Sequence, residues 1–134
     1  MSVSYKDFLD DAKDFLSHGA SEIRFRNSVS RAYYSLYHVA LQHADEVKLP
    51  PVSSQTGPTH KNLRAYYADG LYSDKTLQVK MKRVGYALKA LHEARCKADY
   101  QLGSNVTALD ADAHLKRCEL MIALVEELRA ARAA

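Results

Sequence analysis

All three prolines of the chain, Pro50, Pro51 and Pro58, fall in one stretch, Lys48-Leu-Pro-Pro-Val-Ser-Ser-Gln-Thr-Gly-Pro58. Proline removes a backbone donor and clashes with the preceding turn, so this stretch is a connection, and the chain on either side of it is left free to be helical. The apolar residues there recur at three- and four-residue steps, the period of a helix with one buried stripe. The first helix is expected from Ser4 to about His18, on Tyr5, Phe8, Leu9, Ala12, Phe15 and Leu16, with Gly19 ending it. Ser21 is placed to cap a second helix reaching Asp45. A short third helix spans Thr59 to about Ala68, stopped by Asp69-Gly70, after which Ser73 is expected to cap the next.

The fourth helix, Asp74 to about Leu102, carries the seam Leu77, Met81, Val84, Leu88, Leu91, Ala98 and Leu102, in which Arg95 stands where the rhythm asks for leucine. The last helix starts near Thr107 or Asp110 and reaches Arg132, with Leu115, Cys118, Ile122 and Val125 on one face, widened by Leu120, Leu124 and Leu128. Helices joined by brief connections predict an all-α fold: an up-and-down antiparallel bundle of four long helices plus one short one, built as a single domain over residues 1–134. Broad apolar faces on such long helices suggest a homodimer.

No run approaches the roughly 20 apolar residues needed to cross a bilayer, and the N-terminus is charged from Lys6 onward, so no membrane association is expected and the reading is a cytoplasmic protein. Cys96 and Cys118 have no close-spaced partner in a zinc-like pattern and read as buried free thiols. The net charge of +3 permits contact with nucleic acid without requiring it. Its distribution is uneven. Lys75, Lys80, Lys82, Arg83, Lys89, Arg95 and Lys97 stand against one acid, Glu93, which makes a basic helix face.

On the second helix, Asn27, Arg31, Tyr34, His38 and Leu41 share one face, while Phe25, Val29, Ala32, Leu36 and Val39 suffice to hold the other side in the core. Arg31 and His38, seven residues apart, lie about 10 Å from each other along the axis. Arginine neutralises phosphate oxygens and histidine moves a proton, so such a pair suits attack on a phosphodiester, with RNA supplying its own 2′-hydroxyl nucleophile. Such a site requires no metal or cofactor. The bland alternative is an interhelical polar network of Arg31, His38, Arg95 and Asp99, in which Asp99 pairs with Arg95 or reaches Arg31. Tyr33, Tyr34, Tyr37, Tyr66, Tyr67 and Tyr100 are base-stacking candidates or core and interface residues. His60, near a helix start, reads as a phosphate ligand or a solvent-facing cap residue.

The strings Ser30-Arg31-Ala32-Tyr33-Tyr34-Ser35-Leu36-Tyr37-His38, Thr59-His60-Lys61 and Arg95-Cys96-Lys97-Ala98-Asp99-Tyr100, in this order, resemble the small stand-alone bacterial branch of the HEPN superfamily. The resemblance covers about residues 23 to 102. It implies a bundle of about five helices, usually dimeric, in which many members are metal-independent ribonucleases using an arginine, four to six residues, and a histidine. Arg31 and His38 fit that motif as catalytic residues, with Asn27, Tyr34, His60, Arg95, Asp99 and Tyr100 supporting or binding. In such members the motifs of two subunits meet across the dimer cleft. Some are toxins neutralised by a minimal nucleotidyltransferase, and others bind a nucleotide or a protein partner without cleaving RNA. Active members commonly carry Asn, Asp or His directly after the arginine, where this chain has Ala32.

Overall fold

The computed structural model describes residues 2–70 and 72–133. Five α-helices follow one another: α1 (Tyr5–Ser17), α2 (Glu22–Val47), α3 (Thr59–Asp69), α4 (Lys75–Tyr100) and α5 (Ala108–Ala133), with a 3-10 turn at Val52–Ser54 inside the proline-rich connection. The described residues contain no strand. The all-α bundle expected from the sequence is present, its four main helices being α1, α2, α4 and α5, with α3 the short one. Brief connections between helices that pack on one another make those neighbours antiparallel. No helix among the described residues is long and apolar enough to cross a membrane.

The helix ends follow from local chemistry. Ser4 accepts the Lys6 N–H while Asp7 accepts the Ser4 N–H at 2.7 Å, a reciprocal cap at the start of α1. Thr107 and Asp110 do the same for α5. Gly70 closes α3 in the left-handed region, φ 53°, which glycine adopts without strain. The cap of α4 is Asp74 and not Ser73: its carboxylate accepts two N–H groups, from Thr76 and Leu77, and a charged acceptor outbids a hydroxyl. Ser21 does stand at the start of α2, yet its side chain makes no capping bond.

α2 packs against all four other helices. Its buried side chains therefore point in several directions: Leu36, Val39 and Ala40 into the core, Ser28 and Ser35 toward α1, where their hydroxyls donate to the carbonyls of Ala12 and Tyr5 at 2.8 and 2.7 Å. Small residues here let the two backbones approach. α3 is held on α2 by Tyr67, fully buried, whose hydroxyl donates to the Ala40 carbonyl at 2.7 Å, and on α4 by Gly85, where a Cβ would lie 2.6 Å from the Ala68 nitrogen. Two residues expected in seams are outside the core. Leu102 lies beyond the end of α4 and Leu120 faces away from the buried stripe of α5, and both are exposed. Cys118 is buried and Cys96 half-buried, both as free thiols.

The buried cation of the bundle is Arg26, 4% exposed. Its guanidinium donates to the carbonyls of Ala98 at 2.9 Å, Gln101 at 3.2 Å and Lys97 at 3.4 Å, and also to that of Ser104. These include C-terminal carbonyls of α4, which carry partial negative charge; the Lys97 carbonyl also accepts the Gln101 N–H, and the Gln101 carbonyl the Ser104 N–H. Glu22 accepts from Arg26 Nε and from the Val106 N–H, completing the junction of α2, α4 and the α4–α5 loop. Truncating Arg26 removes a charged donor from all of these carbonyls and the cation from Glu22, so Arg26→Ala is expected to lower unfolding free energy by about 3 kcal/mol, against less than about 1 kcal/mol for Arg31→Ala, as read by chemical denaturation.

His114 on α5 is also buried, donating through Nε2 to the Val29 carbonyl at 3.0 Å, and burial pushes its pKa down to about 4. Between about pH 6.5 and pH 4 the unfolded chain takes up a proton that the folded one refuses. The stability this neutral ring confers is therefore complete above about 6.5 and lost as pH falls toward 4. Wild type should lose about 3 kcal/mol more than His114→Gln across that window in denaturant melts.

Candidate functional site

The expected stripe of α2 divides over two flanks of the helix. Arg31 lies toward α1, its side chain 48% exposed, with Nε 3.3 Å from Asp11 Oδ2 and the guanidinium 5.8 Å from the Phe8 ring centroid. His38, also exposed, sits with its ring 4.9 Å from the same Phe8 ring and 6.1 and 5.2 Å from Tyr34 and Tyr37. Desolvation among these rings lowers its pKa. The imidazole is thus unprotonated at neutral pH and free to accept a proton. Val3 and Phe8 are walls common to two depressions, one of about 320 Å³ ending at Arg31 and one of about 470 Å³ ending at His38. The two adjoin at these shared residues and outline a trough along the α1–α2 seam. Asn27, half-buried, makes no side-chain hydrogen bond among the described residues.

The remaining residues singled out in the sequence come together on the other flank, where α2 meets α3 and α4. Arg95 is only 13% exposed at its side chain, and its Nε donates to Asp99 Oδ2 at 2.8 Å. Its guanidinium lies 5.0 Å from the Tyr34 ring and 5.5 Å from that of Tyr100. Asp99 also accepts from the Ser30 hydroxyl at 3.2 Å. Of the two pairings open to Asp99, the structure takes Arg95; Arg31 takes Asp11 instead. A helix i,i+4 step brings Arg95 and Asp99 together locally, and the polar step in the α4 seam is thereby neutralised.

His60, at the second position of α3, is half-buried and stacked on His92 of α4, ring centroids 4.5 Å apart and planes 18° from parallel. The Tyr33 hydroxyl is 2.7 Å from His60 Nδ1. Burial raises the Tyr33 pKa far out of the ordinary range, so the hydroxyl keeps its proton; it donates to Nδ1 or accepts from it according to the His60 tautomer. Tyr37 packs its ring 4.5 Å from His60. His60 is pushed down to about 4 by burial first and then by His92, Arg95, Arg64 and His38 nearby; His92 is lowered by burial and by the same two arginines.

His92, Arg64 and Tyr33 were not singled out as site residues by sequence reasoning, Tyr33 being read only as one tyrosine among several. His92 precedes Arg95 by three positions, so the same helical step that flagged Arg95 also places an imidazole beside it, and that spacing is the signal that was available. Among the described residues, no three His, Cys, Asp or Glu side chains are grouped as ligands for a metal ion.

No protein-family model, no curated protein and no solved structure matches the chain.

Removing the second imidazole relieves one of the charges that opposes protonation of His60, while burial remains. In His92→Gln the His60 pKa, followed by NMR of the ring proton, should rise from about 4 yet stay below 6.5.

Proposed function

We propose that this chain is a HEPN-type module that binds RNA along the α1–α2 trough and cleaves it without a metal, His38 exchanging the proton and Arg31 holding the phosphate. One observation carries this reading: both side chains are accessible and stand at the two ends of a single trough floored by Phe8. In the reaction the 2′-oxygen attacks phosphorus, its proton passes to His38, and the P–O5′ bond breaks. The Arg31–Asp11 pair is no obstacle. An exposed ion pair is worth about 0–1 kcal/mol, and a phosphate offers the guanidinium a bidentate exchange. Phe8 between the two gives a nucleobase a face to stack on. A second copy of the chain, meeting the first across this face, supplies the proton donor for the leaving oxygen.

His38→Ala should lower the rate of RNA cleavage by about 10²–10⁴-fold while its circular dichroism and melting stay those of wild type. Cleavage at the wild-type rate in that variant sinks the reading, and the mass of the protein in solution tests the second copy.

A second reading rests on Ala32. This position, directly after Arg31, is 0% exposed in the core, so no side chain there can assist at phosphorus. A non-catalytic module binding a nucleotide, RNA or a protein partner such as a minimal nucleotidyltransferase antitoxin then uses the same trough. Its signature is saturable, salt-sensitive binding by wild-type protein that leaves the RNA whole.

A further inference from the structure

The cluster between α2, α3 and α4 is not used by the trough. Arg95 is nearly buried yet poorly satisfied: its Nε has Asp99, but Nη1 finds only the Cys96 sulfur at 3.9 Å and Nη2 only the Tyr100 hydroxyl at 3.5 Å. A guanidinium packed beside the Tyr34 and Tyr100 rings, with both Nη groups short of acceptors, is positioned for a bidentate anion. Near it are the stacked His60–His92 pair and Arg64, whose charge is felt at both imidazoles and which forms no ion pair among the described residues. Two carboxylates lie by the cluster: Asp99, already engaged by Arg95 and Ser30, and Glu93, whose charge favours protonation of His92.

We propose that this cluster is a binding site for a phosphomonoester, the terminal phosphate of an RNA strand, held by Arg95, Arg64 and the two imidazoles. Acceptor geometry selects the ligand class. Both Nη groups of Arg95 are short of close acceptors, and a phosphomonoester presents three unesterified oxygens where a carboxylate or an internal phosphodiester presents two. Such an anion supplies the acceptors that the Arg95 edge lacks. Tyr100, 71% exposed at the rim, offers the terminal base a stacking surface.

Bound phosphate must also move the imidazoles. His60 faces Tyr33, Tyr37 and His38 from α2, Arg64 from its own helix, and His92 and Arg95 from α4, all neutral or cationic. An anion among them reverses the field, so the His60 pKa rises from about 4 on binding. The site is distinct from the trough and needs no cleavage to be read.

The test compares one short RNA with a phosphate or a hydroxyl at its end, together with a nucleoside monophosphate and inorganic phosphate. Binding is measured on the full chain carrying His38→Ala, so that the strand stays whole and failure of the cleavage reading leaves the readout intact. The phosphorylated strand is expected to bind about tenfold more tightly than the hydroxyl strand, one charge-assisted bidentate contact. That preference should vanish in Arg64→Ala and in Arg95→Lys, the latter keeping the charge but not the fork. Inorganic phosphate should raise the His60 and His92 pKa values, and Tyr100→Ala should weaken the strand but not inorganic phosphate. A mononucleotide binding as tightly as the phosphorylated strand overturns the assignment to RNA ends in favour of free nucleotides. Equal affinity for both strands in folded wild-type-like protein, with imidazoles unmoved by phosphate, overturns the site altogether.

Discussion

A helix packed by four others has no wholly wet face on which to leave its polar residues, and that constraint shapes α2 and, through it, the molecule. A buried polar group on it is held by reaching a partner on another element, because an orphaned one costs more than a hydrogen bond returns; His43 Nδ1 is the buried side-chain atom left without one among the described residues. Ser28 and Ser35 find carbonyls of α1, Ser30 finds Asp99 on α4, and Tyr33 finds His60 on α3. Arg26 is the extreme case. Its guanidinium adds a charged donor to the carbonyls at the end of α4, so α2 is tied to that end by a single group.

Periodicity made the helices legible, because burial of one stripe is what a 3.6-residue rhythm encodes, and the proline cluster marked the one long connection. The errors have a common cause in direction. A heptad step placed Arg31 and His38 on one face correctly, but it does not say which neighbouring helix that face meets; Arg31 meets α1 and Arg95 meets α2 from the other side. Arg26, five positions before Arg31, carries no mark in its own helix that sets it apart from an exposed cation. Its burial depends on where another helix ends, information that no local window holds. Leu102 and Leu120 were misplaced for the opposite reason, since a rhythm continues on paper after the helix has ended or its stripe has rotated past the core.

The same geometry gives α2 two accessible flanks of different electrostatic character. Toward α1 a cation, Arg31, already has a carboxylate, and the imidazole of His38 stands beside an apolar ring. Toward α3 and α4, Arg95 is paired with Asp99 while Arg64 forms no ion pair among the described residues, and the imidazoles are held in the neutral form by burial first and then by those cations. Tyr34 belongs to both flanks, touching His38 on one and Arg95 on the other. The two flanks thus share one aromatic ring.

That link bears on the proton balance of the reading proposed for the trough. Metal-free transfer at phosphorus needs one group that accepts a proton and another that gives one, and His38, lowered by burial, is suited only to the first task at neutral pH. His60 and His92 are lowered as well, so none of the three imidazoles on these flanks arrives protonated. An anion is the one local change that makes an imidazole hold its proton. A phosphate seated against Arg95 and Arg64 raises its neighbours on the α3–α4 flank, and His38, whose charge is felt at His60, shares in that field. On that reading the acid is furnished only once phosphate is bound, and this holds for a second copy as well, whose His38 is lowered by the same burial and gives a proton only beside an anion.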